Sequence, residues 1–219
     1  MLGLRAARDC GATVPLSCFQ RAMDWALTLQ QADGPEVVRK LKAEKPGDVE
    51  YVVGRDKARG FGYQTIGNQI TGSMTTAGIA TLAIARDALL KPTRYGPYTE
   101  EVDRKIRKAE MDGFAWLDKN FAVDKNPPAG SAAWHYYYLY GLERACTFGG
   151  RDAVGVHDWY ADGAAYLVAH QSADGRWSTG ALGANEVAAS DMLDTAWALL
   201  FLKKATRPLE PLPVITDGG

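Results

Sequence analysis

Ala164-Ala165-Tyr166-Leu167-Val168-Ala169-His170-Gln171-Ser172-Ala173-Asp174-Gly175-Arg176-Trp177 decides how the rest of the chain is read. It is a helix with an aromatic-aliphatic face, then a glutamine, a tight Asp-Gly turn and a tryptophan. Gly175 accepts φ > 0 and Asp174 can bond its own backbone nearby, so the helix is expected to stop there. The stretch recurs. Trp25-Ala26-Leu27-Thr28-Leu29-Gln30-Gln31-Ala32-Asp33-Gly34 overlays residues 166–175 at an offset of 141, with Gln, Ala, Asp and Gly coinciding. A weaker copy, Asp112-Gly113-Phe114-Ala115-Trp116-Leu117, matches residues 162–167 at an offset of 50, with Phe121 where Gln171 would stand.

A second unit alternates with the first. Leu82-Ala83-Ile84-Ala85-Arg86-Asp87-Ala88, Leu139-Tyr140-Gly141-Leu142-Glu143-Arg144-Ala145 and Leu199-Leu200-Phe201-Leu202-Lys203-Lys204-Ala205 are each an apolar helix ending in charge, at spacings of 57 and 60 residues. Helix pairs therefore repeat about every sixty residues, the signature of stacked helical hairpins. Seven helices are expected, near 1–9, 17–31, 73–90, 99–121, 131–147, 157–171 and 187–205. Ser17, Thr99 and Asp158 are the expected N-caps. Residues 1–206 form one repeat domain, interrupted by a charged insertion at 35–59 that leads into an extended Gly60-Phe61-Gly62-Tyr63, the counterpart of residues 175–177. Residues 207–219, with three prolines, form an extended tail. Because residues 1–7 match 139–145 in character, the chain is expected to open part-way along an inner-type helix, as in a fragment or a divergent copy.

The composition narrows the partners. With 219 residues, 47% hydrophobic and 23% charged, the chain can close one sizeable core. Its 25 basic and 26 acidic residues give a net charge of −1, which offers nucleic acid no electrostatic attraction. Cys10, Cys18 and Cys146 are widely spaced and suggest neither a disulfide framework nor a zinc site. No apolar run reaches the roughly eighteen residues that a transmembrane helix needs. The charges among residues 1–9 interrupt any export signal, so a cytoplasmic location is the default expectation.

Residues 163–177, with Tyr166, Leu167, Gln171, Gly175 and Trp177, are similar to the QW motif of the squalene and hopene cyclases. The repeat period and paired helices resemble the wider superfamily of terpenoid cyclases and protein prenyltransferases. That resemblance implies an all-α fold, an α/α toroid-like arc with inner and outer helices. Four inner-type and three outer-type helices would leave the ring incomplete and expose its terminal helices, so self-association or a longer parent chain is expected. In the motif, the Gln is expected to bond backbone groups left open at a helix end and the Trp to pack on its amide.

The resemblance also implies where chemistry would lie. Its proton-donating motif, Asp-x-Asp-Asp-Thr-Ala, corresponds to Asp191-Met192-Leu193-Asp194-Thr195-Ala196 here, with Leu193 in place of the donor. Asp191 and Asp194 are the candidate catalytic residues, with helix capping as their other reading. Trp134, His135 and Tyr138, in the aromatic run 134–140, are the candidate substrate-binding residues for an apolar isoprenoid, with core packing as the alternative. No cofactor or metal is indicated: the prenyltransferase zinc ligands find no counterpart, and no cysteine lies in a thioester-type context. A pair of glycosidase carboxylates stays open. The function expected is a cyclase- or prenyltransferase-like repeat domain holding a polyprenyl-type ligand; the alternative is a non-catalytic binding or scaffold module, or a piece of a larger repeat protein.

Overall fold

The computed structural model describes residues 1–40, 52–65, 69–90, 98–128, 134–179 and 187–209. These are mostly helical. The helices are α1 (Leu2–Asp9), α2 (Leu16–Leu29), α3 (Gly72–Leu90), α4 (Glu100–Lys119), α5 (His135–Phe148), α6 (Trp159–Ala169) and α7 (Val187–Leu202), joined by strands β1 (Glu36–Lys40) and β2 (Val52–Lys57).

The helix ends follow local chemistry. Thr99 caps α4 by accepting the Val102 N–H, with Glu100, Glu101 and Asp103 in the first turn, where negative charge suits the helix dipole. Asp158 caps α6 through the Ala161 N–H at 3.0 Å. Ser17, expected as a cap, instead lies inside α2, which starts one residue earlier behind Pro15, whose φ of −59° suits a helix entry. Gly175, at φ +85°, makes the turn expected after α6.

The expected insertion is not wholly irregular. β1 and β2 pair antiparallel, Glu36 opposite Lys57 and Val38 opposite Arg55. The Val37-Val38 doublet and Val52 suit a pleated surface, and Arg55 reaches Glu36 across the ladder at 2.5 Å. The hairpin packs on α4. Residues 41–51 of the insertion and 210–219 of the tail lie outside the described residues. Within the tail, Arg5 donates to the Arg207 and Pro208 carbonyls at 3.3 Å and Leu209 packs on the core, so this part is draped over the helices.

The core is built on α3. Its Gly, Ala, Ser and Thr positions let neighbours come close, and Ile79, Leu82, Ile84, Ala85 and Leu89 are fully enclosed, as befits a helix apolar all round. It packs against α1, α2, α4 and α5; α5 then packs against α7, and α6 touches both. The helices read as inner-type, α3, α5 and α7, are thus consecutive neighbours. The offset-50 match also has a packing cause. A Cβ on Gly113 of α4 would collide with Ile79 of α3, and one on Gly163 of α6 with Phe201 of α7. In each case a glycine on the outer-type helix admits a large side chain from an inner-type one.

Candidate functional site

The first copy of the motif works between helices. Gln30 pairs with Phe61, and its side-chain amide donates to Ala109 O of α4 at 2.8 Å and to Arg59 O at 3.2 Å. The second copy works differently. Gln171 donates to Gly175 O at 2.9 Å, closing its own turn at the surface, and it is the Trp177 indole N–H that reaches a helix-end carbonyl, Leu167 O, at 2.8 Å. The expected bond from Gln to an open helix end is therefore made by the tryptophan here. Phe61 and Trp177, from the two segments compared, are placed alike: both are buried, and each donates its backbone N–H to a threonine hydroxyl, Thr75 of α3 at 3.2 Å and Thr195 of α7 at 3.1 Å.

The candidate acids belong to this fastening. Asp194 is 3% exposed, and its Oδ2 accepts the Thr179 N–H at 2.8 Å and the Thr179 hydroxyl at 3.0 Å. Asp191 pairs with Arg176 at 3.1 Å. Arg176 also grips Asp174, whose carboxyl is held below the usual range by the Arg176 and Ser172 hydrogen bonds. Since α7 begins at Val187, neither acid is a helix cap, and that reading is corrected: both lie further along the helix and latch the segment that follows the turn. Leu193, at the position the resemblance gives to a proton donor, is 39% exposed beside the 68% exposed Met192. That position faces away from the buried interior.

The aromatic candidates separate, because successive residues of a helix point about 100° apart. Trp134, at φ 62°, ψ 22°, starts α5 in the left-handed region, uncommon for a bulky residue, and is 53% exposed. His135 is buried, stacked on Tyr136 and edge-on to Tyr166, with Nε2 2.8 Å from Val123 O. A carbonyl only accepts, so the proton sits on Nε2, and burial holds the imidazole below its ordinary pKa. His135 is a satisfied core residue. Tyr138 is fully buried against Gly72, on another face of α5.

Trp134 instead meets residues that the sequence reading did not select. Its ring lies 6.1 Å from Tyr137 and 6.3 Å from Trp197 of α7, and Tyr137 lies 5.2 Å from Trp197. Tyr140 and Arg144 follow Tyr137 at helical spacing, the guanidinium 4.1 Å over Tyr140 and 5.8 Å from Tyr137. The i, i+3, i+7 pattern of 137, 140 and 144 was the available signal. Trp197 could be added only by knowing that α5 and α7 touch.

Among the described residues, no group of three or more His, Cys, Asp or Glu could hold a metal ion, and no helix is long and apolar enough to cross a membrane. Comparison of the chain with known proteins finds no matching family model, no similar curated protein and no similar solved structure.

Proposed function

We propose that the chain is a repeat domain of the cyclase- and prenyltransferase-like kind, an arc of α/α hairpins, that holds an apolar polyprenyl-type ligand without carrying out acid-initiated cyclisation. The carrying observation is the partly exposed cluster of Trp134, Tyr137 and Trp197 between two inner-type helices. Three π faces and a half-open indole offer an apolar chain a large rigid surface at low entropic cost. The commitment of Asp194 to Thr179, with Leu193 at the donor position, argues against protonation of an alkene. Titration with farnesol, followed by tryptophan fluorescence, is expected to saturate. Trp134→Ala should weaken binding about tenfold, the effect of losing one large buried aromatic contact. Failure of farnesol to bind up to its solubility rejects the reading.

A second reading, a module that joins further repeats, has its own observation. The α7 face with Met192, Leu193 and Leu199 is exposed, although Leu139 and Leu82, the counterparts of Leu199 on α5 and α3, are fully buried. Gln30 reaches an adjacent outer-type helix, whereas Gln171 bonds only within its own turn among the described residues. Such an apolar face marks an interface. Light scattering is expected to show concentration-dependent association that Leu199→Glu abolishes; a monomer at high concentration rejects this reading.

A further inference from the structure

Beside the aromatic cluster sits a buried guanidinium with an unsatisfied nitrogen. Arg144 is 8% exposed, yet its Nε is buried with no hydrogen-bond partner, and among the described residues no carboxylate lies within salt-bridge distance of it. Two other arginines, each less enclosed than Arg144, are placed differently, whereas Arg151 shares its situation over the Phe114 ring but has the Met111 sulfur as a partner. Arg86 has Asp103 at 2.7 Å and Arg59 has Asp112 at 2.7 Å. A guanidinium left in this state is costly unless something completes it.

The neighbouring acid does not. Glu143 is fully buried, but its Oε1 accepts the Thr206 N–H at 3.1 Å and the Thr147 hydroxyl at 3.4 Å, and its Oε2 the Thr206 hydroxyl at 2.5 Å. It fastens the segment after α7 onto α5. The tyrosines do not satisfy Arg144 either. The Arg144 guanidinium lies 4.1 Å from the Tyr140 ring centroid, and a contact with a π face takes up no N–H group as a hydrogen bond would. A planar guanidinium held against a ring, with Nε unbonded, has the shape that takes a carboxylate in two in-plane hydrogen bonds.

We propose that Arg144 binds the carboxylate end of an amphiphile whose apolar body lies on Trp134, Tyr137 and Trp197. The assignment rests on the apolar-ligand reading and names the chemistry at the ligand's polar end. Tyr137 joins the two halves, its ring 6.1 Å from Trp134, 5.2 Å from Trp197 and 5.8 Å from the Arg144 guanidinium. Among the described residues Arg144 is the one cation over the Tyr137 and Tyr140 rings, so a monoanion neutralises it whereas a dianionic phosphate would leave a charge uncompensated.

The test compares farnesol, farnesoic acid and farnesyl monophosphate on the full chain at neutral pH, by tryptophan fluorescence and calorimetry. Farnesoate is expected to bind about tenfold more tightly than farnesol, the scale of one charge-assisted hydrogen-bonded pair. Arg144→Met should erase that gap, read as the ratio of the two affinities within the same variant, and Arg144→Lys, which keeps the charge but loses the fork, should retain part of it. Circular dichroism checks folding; should Arg144→Met not fold, Arg144→Lys and the wild-type comparison still decide. Equal affinity for farnesol and farnesoate, a gap that survives Arg144→Met, or a preference for the phosphate overturns the carboxylate assignment and leaves the apolar-ligand reading standing. Failure of both farnesol and farnesoate to bind removes that reading and this inference together.

Discussion

Replacing Asp112 by Ala is expected to lower the unfolding free energy by about 3–5 kcal/mol, the range for breaking a buried ion pair from one side. Asp112 is 1% exposed, and each of its oxygens is used. Oδ1 accepts the Lys57 N–H at 2.8 Å and the Lys108 ammonium; Oδ2 accepts Arg59 Nε at 2.8 Å and pairs with Nη2 at 2.7 Å. Lys108 is half exposed and contributes little, because water screens such a pair. The cost therefore falls on the Lys57 amide and on Arg59, which keeps only the Gln31 carbonyl at 3.3 Å. Asp112→Asn preserves an acceptor for the Lys57 amide and loses the charge, so it should cost roughly half as much. Urea unfolding measures both, and a loss below about 1 kcal/mol for the alanine would show that the hairpin is not anchored through Asp112.

Asp112 also shows where the sequence stopped being legible. It was visible only as the first residue of a faint repeat copy, because its partners Lys57 and Arg59 lie more than fifty positions away in sequence. The helices were legible because period and turn chemistry are local: Thr99, Asp158 and Gly175 act within a few residues of themselves. The β1–β2 hairpin was not. Its valine doublets are short and sit among charges, and the pairing of Val37 with Asp56 depends on register, which no single strand reveals. The charged end of the second unit misled in the same way. Glu143 and Arg144 look like the solvated end of α5, but Thr206, brought back by the chain after α7, encloses the glutamate, and the tyrosines cover the arginine. Of the candidate site, the run 134–140 divides in the structure: Trp134 and Tyr137 share a cluster while His135 and Tyr138 turn into the core. Helical spacing would have separated them; the contribution of Trp197 needed the packing of α7 on α5.

The sign of the stability change in Asp194→Ala separates the two readings of that acid. A carboxylate kept for chemistry is poised at some cost to the fold, and removing it commonly stabilises the protein. A carboxylate kept for structure does the opposite. Asp194 holds the amide and the hydroxyl of the part-buried Thr179, and the alanine variant removes both bonds, each worth about 1–2 kcal/mol for a part-buried bond to a charged acceptor. A net loss of about 2–4 kcal/mol is expected, with the segment from Arg176 to Thr179 released from α7. Thr195 is an internal comparison, since its hydroxyl bonds both the N–H and the carbonyl of Trp177, and Thr195→Val should destabilise by about 1 kcal/mol. Asp191→Ala should cost at most about 1 kcal/mol, because its partner Arg176 is largely exposed and the pair is screened. Thermal and urea unfolding measure all three variants. If Asp194→Ala is as stable as the parent or more so, the latch is not the reason for this acid, and a chemical role for it returns.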